Sequence, residues 1–118
     1  MQKSLESLLS EVIKFRDERD WKQFHNPKDL AISISLEASE ILENFQWKSE
    51  QEVQAMLQEP ELVTELGNEL ADVLIYVLLL SDRLEVDLHE AVERKLEIDQ
   101  KKYPAHKSFG KSTKYNKL

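Results

Sequence analysis

Glu37 and Glu40 stand three residues apart, and so do Glu69 and Asp72. On a helix, residues three or four apart share a face, so each pair can aim two carboxylates at one point. The apolar spacing around them is informative. Leu30, Ile34, Glu37, Ile41 and Phe45 follow steps of four, three, four and four, and Leu66, Glu69, Val73, Tyr76 and Leu80 follow steps of three, four, three and four. Glu37 and Glu69 therefore each interrupt an apolar seam. An ionised carboxylate facing a core costs on the order of several kcal/mol unless something pairs with it. No lysine or arginine follows Lys28 within the first of these stretches, and none precedes Arg83 within the second. The remaining partner is a bound cation. Four carboxylates from two helices make an all-oxygen, hard-ligand site, which suits Mg²⁺ or Mn²⁺ rather than zinc or copper.

Composition removes several competitors. The 118 residues include no cysteine, so a disulfide frame, a thiolate nucleophile and a zinc-thiolate site are excluded. With two glycines, Gly67 and Gly110, the chain cannot build a Gly-rich phosphate loop. Any phosphate must be handled by metal and side chains. Di-iron bundles use Glu-x-x-His pairs, but none of His25, His89 or His106 lies three residues after a glutamate. The bland alternative is a set of ordinary surface acids. In a chain with 23 acidic residues one such pair arises easily by chance. Two pairs, each with a member inside an apolar seam, make the stronger case.

The net charge of −7 is unevenly spread: residues 101–118 carry six lysines and no acid, which leaves residues 1–100 at −13. An acidic body argues against general nucleic-acid binding. A basic tail suits a flexible anion-contacting segment, or simply a solvated terminus. The N-terminal MQKSLESLLSEV mixes charge into its first turns and is not a signal segment. The longest apolar run, from Val73 to Leu80, is eight residues, too short for the roughly 20 that span a bilayer. A soluble, cytoplasmic protein that engages neither membrane nor nucleic acid is expected.

Scarce Gly and Pro with abundant Glu, Leu and Lys predict an all-α chain. The elements that must position the acids follow from apolar periodicity and breakers. A first helix is expected from about Lys3 to Arg19, with Leu5, Leu8, Leu9, Val12 and Phe15 as its stripe. The aromatic-rich loop Asp20–Pro27 follows. The second helix runs from Pro27, or just after it, to about Phe45 or Gln46. A short helix spans about Lys48 to Glu59 and is ended by Pro60. A long helix covers Glu61 to Leu84, and a last one Leu88 to Lys102 with Asp87 as N-cap. Tyr103-Pro104 stops it. The expected arrangement is a helical domain over residues 1–103, resembling a four-helix bundle, and a basic, flexible tail over residues 104–118. The long helix is apolar nearly all round from Val73 to Leu80, which implies that a partner subunit covers part of it.

These residues carry a resemblance. The pattern E-x-x-E followed by E-x-x-D on two helices is similar to that of the MazG-like all-α nucleoside triphosphate pyrophosphohydrolases, and more narrowly to their dCTP pyrophosphatase branch. The stretches FRDERDWKQFHNPKDLA, EASEILENFQWK, ELADVLIYVLLL, VDL and KKYPAH carry it, with the terminal KY. The segment from Ser49 to Val63 and the tail after His106 are less family-like. The resemblance implies that Glu37, Glu40, Glu69 and Asp72 bind Mg²⁺. It implies that Trp21 and Trp47 line a nucleobase pocket, that Tyr76 packs in or near the substrate site, and that the assembly is a tetramer with sites at subunit interfaces. The implied reaction converts a deoxynucleoside triphosphate to monophosphate and pyrophosphate, with dCTP or a modified relative as substrate. Val12 departs from the pattern, because some relatives place a polar residue there, near the base. That leaves base choice open.

Read from the residues alone, Trp21 and Trp47 are the only tryptophans, and an aromatic face stacks on a base at roughly 1–3 kcal/mol. Tryptophans also serve as core or interface anchors. Tyr76 lies four residues after Asp72, so its hydroxyl can reach the carboxylates. His25 is a candidate substrate contact, and Lys28, Lys101 and Lys102 are candidate phosphate contacts. The competing function is a non-enzymatic helical interaction module whose acids specify an oligomer interface.

Overall fold

In a computed structural model that describes residues 4–118, the chain forms α1 (Leu5–Glu18), α2 (Pro27–Glu43), α3 (Glu50–Met56), α4 (Pro60–Arg83), α5 (Leu88–Lys102) and α6 (Ala105–Ser108). Short 3₁₀ turns occupy Lys22–Phe24 and Tyr115–Lys117, and no strand is present among the described residues. The expected start of the first helix at Lys3 lies outside the described residues.

Local chemistry sets the helix starts. The Ser4 hydroxyl accepts from the Ser7 backbone N–H at 3.0 Å and opens α1. Asn26 accepts from the Asp29 N–H at 2.9 Å, and Pro27 follows in the first turn of α2, where a missing N–H costs nothing. Ser49 and Glu52 form a reciprocal capping box on α3. Asp87 caps α5 through the Glu90 N–H at 3.1 Å, as its position in the sequence predicts. Pro60 acts differently from the expectation. The short helix has already ended at Met56, and Pro60 opens α4 instead of closing α3. Its fixed φ suits a first helical turn as well as it suits a terminator.

The described chain divides into two compact units, one ending at Glu85 and one of Val86–Leu118. In the first, α4 is the central element: α2 packs along it, and α1 makes a smaller contact. Leu30 of α2, Met56 of α3 and Leu78 and Leu79 of α4 are buried. A fully buried Leu or Met contributes about 1.5–3 kcal/mol, so this small set is a modest core. Leu5, Leu8, Leu9 and Val12 are half-buried, as the expected stripe requires. Phe15 is not. It is 49% exposed, and Arg16 takes the inward place at 2% exposure. A buried guanidinium needs carboxylate partners, and Arg16 has them in Asp82 at 2.7 Å and Asp17 at 2.9 Å. Large apolar side chains stay exposed on both principal helices, including Leu36 and Leu42 on α2 and Leu70 and Leu74 on α4. Among the described residues no helix is long and apolar enough to cross a membrane.

In the second unit α5 ends at Tyr103-Pro104, and α6 follows at once. Gly110, at φ +71°, takes the left-handed conformation that turns the chain after α6. The Tyr115 ring then meets Tyr103 edge-on at 6.0 Å, and the Lys102 ammonium sits 4.9 Å from the Tyr115 ring centre.

Candidate metal and nucleotide site

The two apolar seams explain why α2 and α4 pair. Leu30 is buried, and Ile34, Ile41, Phe45, Leu66, Val73, Tyr76 and Leu80 are half-buried. Glu37 and Glu69, at the seam positions, are half-buried too. The pairing therefore draws acids from two helices together. Glu37, Glu40 and Glu69 each offer a carboxylate oxygen, and these oxygens lie within 4.8 Å of one another.

Electrostatically the cluster is unfinished. Oε2 of Glu37 and Oε2 of Glu69 are buried without a hydrogen-bond partner. Burial pushes the Glu37 carboxyl above its ordinary value, and the charges of Glu40 and Asp72 push the same way. Glu69 is also raised, first by a side-chain hydrogen bond with Glu40, which requires a proton on one of the two carboxyls. Its burial and the charges of Glu40, Asp72 and Glu37 add to this. Like charges held close with orphaned oxygens cost free energy unless a cation or a proton sits among them. An all-carboxylate donor set favours a hard divalent cation, so the residues fit magnesium.

Asp72 is exposed one turn further along α4. Its charge reaches both Glu37 and Glu69, but its oxygens are not part of the close trio. Tyr76 follows it, half-buried on the same helix.

The other expected site residues are distributed more widely. Trp21 opens the 3₁₀ turn after α1 and is partly exposed. Its N–H donates to the Arg16 carbonyl at 3.1 Å, and its ring packs edge-on against Phe15 at 5.7 Å. The Arg19 guanidinium covers Phe15 at 3.7 Å. His25 ends the same turn, with Nδ1 buried and unpartnered. Burial lowers its pKa below the ordinary value, helped by the charges of Arg16 and Arg83. Lys28 is exposed in the first turn of α2. Trp47 follows α2 in a left-handed conformation, φ +66°, with its side chain 91% exposed. Lys101 and Lys102 belong to the second unit, where they line a cavity of about 390 Å³ with Pro104, Lys107, Tyr115 and Leu118.

One element escapes a reading of the sequence. Arg16 continues the α1 stripe four residues after Val12, but its role depends on Asp82. The only local signal is a charged residue at an inward position.

The model of the MazG-like family matches residues 32–118. The chain is 40% identical over 115 residues to dCTP pyrophosphatase 1 of Rattus norvegicus, a match that spans 98% of this chain and 68% of that protein. The Homo sapiens dCTP pyrophosphatase 1 gives the same identity and coverage. Among solved structures, a pyrophosphatase from Archaeoglobus fulgidus superposes with a TM-score of 0.78 at 45% identity, covering 88% of this chain and 95% of that one.

Proposed function

The chain belongs to the MazG-like family, and from that premise we propose that it hydrolyses deoxynucleoside triphosphates, dCTP or a modified relative foremost, to the monophosphate and pyrophosphate. Such an enzyme clears unwanted triphosphates from the nucleotide pool. The observation that carries the reading is the trio Glu37, Glu40 and Glu69 with its two orphaned oxygens.

Glu37, Glu40, Glu69 and Asp72 are the residues that would hold Mg²⁺. The ion would neutralise the phosphate chain and help activate a water. Glu37 or Glu40 would orient that water and take its proton as it attacks phosphorus and the bridging P–O bond between the α and β phosphates breaks, releasing pyrophosphate. Trp21 and Trp47 offer ring faces to the base, and His25 and Tyr76 supply polar contacts to the nucleoside. Lys28, Lys101 and Lys102 counter the charge of the phosphates. No covalent intermediate is needed.

A four-helix-bundle protomer assembling as a homotetramer would cover the apolar side chains that α2 and α4 leave exposed. Supporting this are Leu36, Leu42, Leu70 and Leu74, all exposed in the single chain. A cytoplasmic setting fits a nucleotide substrate.

The test is product analysis by anion-exchange chromatography after incubation with each deoxynucleoside triphosphate, in Mg²⁺ or in EDTA. Monophosphate and pyrophosphate are expected only with Mg²⁺. A folded sample that yields neither product from any triphosphate would overturn the reading and favour the helical interaction module.

A further inference from the structure

Trp21 is partly exposed, yet its backbone is fixed from several directions. Its N–H donates to the Arg16 carbonyl at 3.1 Å, and the same carbonyl accepts from the Arg19 N–H at 3.2 Å. Asp20, just before it, sits in the left-handed region at φ +54°, which is uncommon for a residue other than glycine. Gln23 braces that turn: its Nε2 donates to the Asp20 carbonyl at 3.1 Å and to the Asp20 carboxylate at 2.9 Å. The Trp21 carbonyl in turn accepts from the Phe24 N–H at 2.9 Å.

Arg16, whose carbonyl anchors this turn, lies in the last turn of α1. Carbonyls there have no partner within the helix, and helix ends fray. The Arg16 side chain counters the fraying. It is almost fully enclosed and donates through Nη1 to Asp82 at 2.7 Å. Asp82 lies near the end of α4, an unbroken helix of 24 residues that also carries Glu69 and Asp72. Asp17 contacts the same guanidinium at 2.9 Å, but it belongs to α1 and adds no tie to another element. A single residue thus joins two functions. Its carbonyl locates Trp21, and its guanidinium locates that carbonyl relative to the helix that bears the acids.

We propose that Asp82 is a positioning residue for the nucleobase: acting through Arg16, it holds Trp21 in register with the carboxylates of α4. This role presupposes that Trp21 faces the base, as proposed above. Asp82 itself touches no substrate, and its effect is geometric. When the tie is cut, Trp21 shifts against the base, while Glu37, Glu40 and Glu69 keep the packing of α2 on α4 that brings them together. The base lies away from the reacting phosphorus, so stacking on it is much the same in the ground state and the transition state. Weakening such uniform binding raises KM and leaves kcat.

The experiment is steady-state kinetics of the full chain with each deoxynucleoside triphosphate in Mg²⁺. The parent is compared with Asp82→Ala, Asp82→Asn and Asp17→Asn, at a temperature where circular dichroism shows all of them folded. Asp82→Ala should raise KM for the preferred triphosphate about three- to tenfold, a part of what losing a stacked base costs. It should also narrow the spread of kcat/KM between bases, with kcat within about twofold of the parent. Asp82→Asn keeps an acceptor oxygen without the charge and should fall between the two. Asp17→Asn should match the parent. A merely structural role moves neither KM nor the base spread, because partial unfolding lowers the active fraction and so only the apparent kcat. Parent-like KM and base spread in both Asp82 variants overturn the proposal, whatever happens to kcat. So does a KM for Asp17→Asn as high as that for Asp82→Ala, which would assign the effect to charge balance at Arg16. In either case turnover by the parent leaves the enzyme reading standing. A folded parent that turns over no triphosphate overturns that reading and the positioning role together.

Discussion

The Arg16 guanidinium donates to the Asp82 carboxylate at 2.7 Å, and the arginine side chain that does so is almost completely enclosed. This pair ties the end of α1 to the end of α4. It also fixes the carbonyl that receives the Trp21 N–H. Removing the carboxylate leaves a buried cation with only Asp17. Asp82→Ala should therefore destabilise the protein by about 2–4 kcal/mol, at the lower part of the range for broken buried pairs because Asp82 is itself partly solvated. Urea unfolding followed by circular dichroism measures it, and a loss under about 0.5 kcal/mol, the scale of an ordinary surface substitution, would show that the pair is dispensable.

Glu37→Gln and Glu69→Gln should each abolish Mg²⁺-dependent turnover while leaving the fold intact. In EDTA the glutamines should make the protein more stable at neutral pH. The sign follows from the raised carboxyls. Ionising them in the folded state is unfavourable, so their destabilisation grows as pH rises through the ordinary carboxyl range and persists above it. The advantage of glutamine should accordingly vanish in acid. Thermal melts in EDTA across pH test this, and a variant less stable than the parent at neutral pH would contradict the repulsive cluster.

His25 predicts an opposite pH response. Its folded pKa is depressed, first by burial and then by Arg16 and Arg83. The unfolded chain therefore binds the proton more readily. The neutral form's stability is fully present above the unfolded value of about 6.5 and is lost as pH falls through that value toward the folded one. His25→Asn should flatten the stability profile between about pH 7 and 5, relative to the parent. Parallel profiles would assign the acid sensitivity to other groups.

Trp47 combines a left-handed backbone with near-complete exposure. A bulky residue at that φ stores about 1 kcal/mol or more of strain. Glycine has no such penalty, and little packing is lost. Trp47→Gly should stabilise the protein by roughly 1 kcal/mol while raising KM or blurring base preference. An unchanged KM and base profile would assign the ring a packing role, and a less stable variant would locate it in a contact.

Glu37, Glu40 and Glu69 are legible as a cluster because they obey helical periodicity, and α2 and α4 pack as the two seams require, but Asp72, which the same spacing puts with them, stays outside the close trio. The Asp87 cap was legible for the same local reason. Arg16 was not, since its partner lies 66 residues away, and no local pattern announces a long-range ion pair. Apolar character alone predicts Phe15 inward, but the Arg16–Asp82 pair claims the inward place and leaves Phe15 to Trp21 and Arg19. Pro60 misled because the same residue type ends one helix and begins another. The left-handed turn at Trp47 carries no glycine to signal it.

The two tryptophans also differ in a way that has practical value. Trp21 lies edge-on to a ring with a guanidinium nearby, whereas Trp47 stands almost wholly in solvent. With no other tryptophan in the chain, the molecule carries two optically distinct chromophores. Trp47 should dominate the red edge of the emission and be the more readily quenched by iodide. A blue shift of that edge alone on adding nucleotide would report events at one rim of the first unit, with no label attached.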